Sequence, residues 1–595
     1  MRNAVRRVLA QDTHDRGLAM PLVIGITAAL AALMVAGVAF ATGALRNARS
    51  DQDWNSALAA AYAGIEEFES RLAYDTSYYS AGNPAASFSA GSNVRLPVGD
   101  ATNPAFGLGA TGTWATVPGS NGASQFRYEI DNSRFAQDGT LRVRSTGRAG
   151  GETRSIVADL KQEGFIDFLY FTDFEVTDPQ AVDPTDTKNC AIKYPNPRPC
   201  DNIYFGGMDQ LNGPVHTNDA IQTNGPAEFN GRVTTSWEAA SGPNYIRYEG
   251  ARPTFQNPGD PTFSTSIGMP PTNTALKKET RSDRPDEVAE TGCLYTGPTS
   301  IEFKSDGTMR VISPWTQFTN TTGDTDTGGS APDKCGKPGS TGLAKKSGST
   351  YVGVDVPVTD NLVIYVQNVP TTSGNVNRVA SSSRTPVHPG AIACTSSNRN
   401  NIGYPIENET VPFSTAYGCR NGDVFVKGVL NGRTTVAAEN YVYITGNVTY
   451  ADDNDDMLGL VGNNAVWVWN PMRTTTDWRG DTIYSSLLGG RDRYIDAAIL
   501  SVAHTFMVQN YNRGGTRGDL WVTGAIAQKF RGPVATTTRS GSVSTLSTGY
   551  AKKYYYDERF RTQAPPKYLS PVTTTYGITV WVEVEPAFDS DGNYR

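Results

Sequence analysis

Hydrophobic positions fall into three regimes along this chain. From Gly17 to Leu45 no residue is charged, with Arg16 before the run and Arg46 after it. At a rise of about 1.5 Å per residue such a run is longer than the roughly 30 Å apolar core of a bilayer, so it predicts a membrane-length helix over 18–45. From Asp51 the sequence DQDWNSALAAAYAGIEEFESRL sets Trp54, Leu58, Tyr62, Ile65, Phe68 and Leu72 at helical spacing among strong helix formers. The helix is therefore expected to continue as an amphipathic rod and to end near Tyr74-Asp75. Beyond residue 124 the period shortens to two. FRYEID (126–131), TLRVRSTGRAG (140–150) and ETRSIVADLKQ (152–162) read as strands, the last two joined as a hairpin at Gly150-Gly151.

Past Gly164 one nine-residue layout recurs: GPVHTNDAI at Gly213–Ile221, GDVFVKGVL at Gly422–Leu430 and GDLWVTGAI at Gly518–Ile526. Each copy alternates inward-facing aliphatics and is bounded by turns. Short strands with Gly and Asn turns between them, and no helices, predict a β-sandwich or a β-solenoid. The recurring string favours a parallel β-helix or related solenoid, although its copies keep no fixed period. The fold class expected is α+β, an N-terminal helix with a small antiparallel sheet (46–162) followed by a large all-β head (163–237 and 421–595). Residues 238–420, heavy in Gly, Ser, Thr, Pro and Asn, read as a loop-rich, cysteine-containing insertion in that head.

Composition sharpens this picture at two points. The 595 residues contain 60 Gly and 35 Pro, which suits many short strands joined by turns. A net charge of −7 argues against nucleic acid as the main partner. The six cysteines, Cys190, Cys200, Cys293, Cys335, Cys394 and Cys419, form no CxxC pair, so zinc and thioredoxin-like readings lack support. Their even number on the exported side suggests disulfides, and sequence neighbours suggest Cys190–Cys200, Cys293–Cys335 and Cys394–Cys419, one of fifteen possible connectivities.

The N-terminus admits three readings. Ala39-Phe40-Ala41 fits a signal-peptidase site with Thr42 as the new start, but the apolar run exceeds the usual signal length. An uncut signal anchor is the second reading. The third rests on the whole stretch: a basic leader (Arg2, Arg6, Arg7, Arg16) ending in Gly17, an apolar helix at once, and an ALAAAYAGIEE extension. This resembles the class III, type IV pilin-like N-terminus, and most of all PilX-type minor pilins. The resemblance covers roughly 18–162, where a long helix over a small antiparallel sheet is the pilin α/β roll. The YYYDERFRTQAPP and YFTDFEVTDP segments also look like the distal region of large PilX-type proteins of Gram-positive bacteria.

The resemblance implies that residues 1–17 are a leader, cut by a prepilin peptidase after Gly17 to leave Leu18 as the new amino terminus. It implies pilin subunits, the peptidase and the pilus assembly machinery as partners, with the head ending up at the cell surface; the leader's four arginines against Asp12 and Asp15 independently place the N-terminus in the cytoplasm. Major pilins carry a Glu five residues after the cut, thought to neutralise a neighbour's terminal amine; here that position is Leu22. A tip or initiating subunit has no need of it. The expected function is thus that of a minor pilin, acting in assembly or in adhesion to a surface glycan or protein, without catalysis. A secretion-system minor pseudopilin and a membrane-anchored, polysaccharide-active β-helix enzyme are the alternatives.

Candidate chemistry is sparse. Asp452, Asp453, Asp455 and Asp456 crowd one turn, where a solvated loop or a calcium loop is expected, not the separated carboxylates of a glycosidase. DSDGNY (589–594) has the look of half a calcium loop. No other cofactor is implied. Of four histidines, His14, His216, His388 and His504, no two share metal-ligand spacing, and His216, in the first copy of the string, is expected to be structural. Trp467 and Trp469 alternate on one strand, where core packing is the commoner fate and stacking on a sugar or gripping a protein partner the alternatives.

Overall fold

The computed structural model describes residues 19–595 apart from 98–101, 110–111, 136–139, 163, 257–258, 285–287, 289, 541–542, 562 and 570–575. Two compact units divide it, one of residues up to Lys161 together with Tyr576–Arg595, the other Gln162–Thr575.

In the first unit a single helix runs from Ala19 to Tyr74. Pro21 lies in its first turn, where a missing N–H breaks no helical bond. Every position from 20 to 52 is exposed, and by length and composition the helix is able to cross a membrane. Within that half, Thr27 and Thr42 donate their hydroxyls to the carbonyls of Val23 and Val38 at 2.8 Å, so neither polar group depends on water. From Ala57 one face is buried against the strands Ser124–Asp131 and Thr140–Ala149.

The buried stripe differs in phase from the expected one. Ile65, Phe68 and Leu72 are core, but they are joined by Ala57, Ala60 and Ala61, whereas Trp54 and Tyr62 are 45% and 39% exposed. The reason is close approach. A Cβ on Gly147 would lie 2.0 Å from the Ala57 carbonyl, and one on Gly64 2.2 Å from the Ser145 hydroxyl. Only small side chains leave the helix that near to the sheet. The two displaced aromatics pack at the flank instead, Trp54 under Arg154 (4.7 Å) and Tyr62 against Trp581 (4.8 Å).

The sheet has five strands in the order Ala115–Thr116, Ser124–Asp131, Thr140–Ala149, Glu152–Gln162, Tyr576–Val584. The last strand had been expected in the head. Its partner strand ends where the head begins, so the chain leaves this sheet at Lys161 and rejoins it at Tyr576. Arg154 donates to both carboxylate oxygens of Glu583 at 2.6 Å across the join.

The second unit is β-rich, built on one 22-stranded sheet system whose pairings are mostly parallel. One ladder runs through Cys293–Thr296, Leu362–Gln367, Arg433–Ala438, Met457–Gly462, Arg493–Ser501, Thr516–Phe530, Tyr170–Phe174, Val215–Thr217 and Val233–Thr235. A second runs through Thr299–Phe303, Val424–Leu430, Tyr441–Tyr450, the first half of the 493 and 516 strands, Val543–Tyr556, Gln210–Asn212 and Glu228–Phe229. Ladder order is not chain order: the early strand Tyr170–Phe174 lies between the late Thr516–Phe530 and Val215–Thr217. Alternate residues point inward, as Val424, Val426, Val442, Ile444, Leu520 and Val522 do, and they share one core.

Three strands of these ladders, at 293–296, 299–303 and 362–367, come from the stretch read as an insertion. It is part of the head. Strands of four to six residues between long Gly- and Ser-rich connections leave composition dominated by the connections. Asn273, in the run that follows the Thr262–Phe263 strand, donates to the Ala438 carbonyl at 2.7 Å, and Leu276 joins the cluster of Val363, Ala437 and Val461. This run thus packs against strands of the first ladder. Disulfides join Cys190–Cys200, Cys293–Cys335 and Cys394–Cys419 with Cα separations of 5.7, 5.5 and 6.0 Å.

Two copies of the recurring nine-residue string carry a glycine where strands approach closely. In the second and third copies its internal glycine, Gly428 or Gly524, abuts the adjacent strand; a Cβ there would lie 2.1 Å from the Phe303 carbonyl or 1.9 Å from that of Ala497. Gly428 also takes φ +111° where the pairing shifts register.

Candidate functional site

Two kinds of surface stand out, the bare half of the helix and the outer faces of the head. Met20, Leu22, Val23, Ile24, Leu30, Leu33, Met34, Val35, Val38 and Phe40 are all exposed on the helix. Apolar area on this scale requires lipid or other helices around it. Gly17 and Leu18, the processing pair, lie outside the described residues, as does His14.

Most titratable groups of the head are committed to structure. His216 is buried between Phe168 and Phe171, with Nδ1 2.8 Å from the Thr234 hydroxyl and Nε2 3.0 Å from Asn218 Oδ1. Burial holds its pKa down at about 4, so the ring is neutral at physiological pH. His388 is half-buried beside the Pro389 carbonyl. His504 Nδ1 sits 2.6 Å from the buried carboxylate of Asp178.

Of the crowded aspartates, Asp452, Asp453 and Asp455 are exposed and Asp456 is buried. Asp456 accepts backbone N–H bonds from Gly432 (2.6 Å), Ala451 (2.9 Å) and Asp452 (2.7 Å), while Asp452 accepts from Asn454 N. These carboxylates staple a turn. In the DSDGNY segment Asp589 does the same for Asn593 N. Among the described residues no group of three or more His, Cys, Asp or Glu is arranged to hold a metal ion.

A cavity of about 360 Å³ is lined by Asp178, Asp183, Asp186, Asp201, Met507 and Tyr511, among others. Three of these four acids are engaged locally. Asp178 Oδ1 accepts from Gln180 N, Asp183 Oδ1 from Thr185 N and Asp186 Oδ1 from Lys188 N. Deeper in, Arg531 is fully buried, 3.1 Å from Glu175 and 3.6 Å from Asp209, which also pairs with Lys552 at 3.0 Å. Its guanidinium lies 3.4 Å from the Phe205 ring centre. Removing one member would leave its partner charged and unpaired in the core, so this network is a structural commitment.

The loop closed by Cys190–Cys200 is docked by its own polar groups. Tyr194 N and Arg198 reach the two oxygens of buried Asp219 (2.8 and 2.5 Å), and Lys193 pairs with Asp173 at 2.5 Å. The sequence marks this loop only by its cysteine pair, since the partners that dock it are 20 or more residues away.

Aromatic side chains sort by face. Trp467 and Trp469 are buried in a cluster with Tyr417, Phe425, Tyr441 and Tyr443, and Trp469 Nε1 donates to the Tyr417 hydroxyl at 3.0 Å. Core packing is their role. Trp478, Tyr248 and Phe263 are exposed at separate places, whereas exposed Tyr494 and Tyr555 flank a half-buried Trp521 on adjacent parallel strands. Trp521 holds the place in the third string that His216 and Phe425 hold in the others, and it alone of the three is not fully covered.

Comparison with known proteins adds little. A crystal structure of the competence-associated pilin ComZ from Thermus thermophilus is similar at 11% identity and a TM-score of 0.26, over 89% of this chain and 97% of that one. At that score the likeness carries no argument. No family model matches the chain, and no curated protein does.

Proposed function

We propose that this chain is a minor, pilin-like subunit of a type IV pilus, anchored and assembled through its helix and acting at the tip in assembly or surface adhesion, without catalysis. The observation that carries this reading is the division of one continuous helix: bare and apolar through 20–52, seated on a sheet from Ala57. The first half has the dimensions of a membrane span and can exchange lipid for neighbouring helices, since both offer the same apolar contacts. Leu22 in place of a carboxylate suits a subunit with none ahead of it. The head (162–575) is too large a cargo to repeat easily along a shaft. Its parallel ladders are read as a β-solenoid, a shape that displays long flat faces.

The test is the mature N-terminus, measured by mass spectrometry on protein from native membranes and from sheared surface fractions. A chain beginning at Leu18, with a methylated amine, and present in the sheared fraction is the expected result. A start at Thr42 makes the protein a freely secreted one, and an intact Met1 in membranes makes the helix a plain anchor. Either outcome overturns the pilus reading.

A further inference from the structure

The outer face of the second ladder carries a row of three aromatic rings. Tyr494 is directly opposite Trp521 across one parallel pairing, and Tyr555 lies on the next strand, two residues along from the partner of Trp521. Tyr494 is 41% and Tyr555 37% exposed, with Trp521 half-buried between them. Ring planes are nearly parallel, at 6° and 9°, and the centroids are 6.2 and 6.0 Å apart. Rings in face-to-face contact would sit at about 3.5–4.0 Å. At about 6 Å the parallel rings are not in full face-to-face contact, and Tyr494 and Tyr555 keep 41% and 37% of their surface exposed.

Amides continue the row on both sides. Asn447 accepts the Tyr494 N–H at its Oδ1 (3.2 Å). Asn212 pairs in register with Tyr555, and Asn230 donates to Asn212 Oδ1 at 2.7 Å. Lys553 pairs in register with Trp521. Beneath them Leu520, Val522, Ile495 and Tyr554 are core residues, so the platform is held by packed strands.

We propose that this strip binds a neutral polysaccharide, with the rings stacking on successive sugar faces and the flanking amides meeting hydroxyls. A sugar ring offers apolar C–H faces and a rim of groups that both donate and accept, which is the complement of aromatic faces edged by carboxamides. A nucleic acid strand also stacks on aromatics, but it requires a row of cations along its phosphates, whereas Asn447 and Asn212 flank these rings on a chain of net charge −7. The inference rests on the adhesion reading above and names its ligand class. It does not depend on processing at Gly17, so the two fail separately.

The test uses the full-length chain purified in detergent and co-sedimented with insoluble cellulose, chitin and xylan. Wild type is expected to pellet with at least one of them in a salt-insensitive manner. The triple variant Y494A/W521A/Y555A is expected to lose at least about tenfold in affinity, with its melting temperature and three disulfides retained. If the triple variant unfolds, the single variants W521A and Y555A take its place, each expected to weaken binding. Y494F and Y555F keep the rings and are expected to keep binding. Wild type that pellets with none of the three, alanine variants that bind as wild type does, or phenylalanine variants as impaired as the alanine ones each overturn the proposal. So does salt-sensitive binding of single-stranded DNA in place of the polysaccharides.

Discussion

Asp423 illustrates how one buried group sets a pH dependence. It is fully buried, accepts from Asn440 Nδ2 (2.7 Å) and Tyr441 N (3.2 Å), and burial pushes its carboxyl up to about 7. An unfolded Asp titrates near 3.9. Between those values the folded chain holds a proton that the unfolded chain has lost, so this group's contribution to stability falls as pH rises from about 4 through 7. His216, held near 4, works in the opposite sense up to about pH 6.5. The diagnostic is therefore the difference between Asp423→Asn and wild type: thermal melts should show the variant gaining relative stability from pH 5 to pH 8, on the order of a few kcal/mol. A difference that is flat with pH refutes this account. Gly524 is a second residue-scale test. Gly524→Ala places a methyl 1.9 Å from the Ala497 carbonyl, in backbone that cannot yield without breaking a ladder. A loss of about 2–4 kcal/mol is expected in denaturant titration, whereas Gly515→Ala, with open space around its Cβ position, should cost well under 1 kcal/mol.

Elements show where periodicity is informative and where it misleads. The helix was legible from spacing, but its buried stripe was not, because a hydrophobicity pattern ranks Trp54 and Tyr62 above Ala57 and Ala61. Distance to the sheet reverses that rank. Gly147→Val should accordingly disrupt helix seating, seen as a loss of about 3 kcal/mol or more and as new protease cleavage between residues 46 and 74. Disulfides give a graded prediction. In the chain-entropy picture the contribution grows with the loop closed, and the separations are 42, 25 and 10 residues for Cys293–Cys335, Cys394–Cys419 and Cys190–Cys200. Paired Cys→Ser variants should lower the melting temperature in that order, about 3–4 kcal/mol at the top. Both sulfurs of the first pair are also fully buried, which adds to its lead.

At the scale of the molecule, two units with separate cores should unfold in two calorimetric steps. Gly147→Val should move one step and Cys293→Ser/Cys335→Ser the other; a single transition shifted by both refutes the division. The apolar helix, the hairpin at Gly150-Gly151 and the recurring Gly-rich string could all be read from the chain, because each rests on neighbours within a few turns or one strand. What lay beyond it was whatever depends on residues far apart: the return of Tyr576–Val584 to the first sheet, the ladder strands hidden in 238–420, and the face on which each aromatic lies. Trp467 and Trp521 look alike in sequence, each in a short strand of alternating residues. One is walled in by Tyr441 and Phe413 and the other open beside Tyr494, because covering a face takes side chains from other strands and loops, and local spacing records none of them.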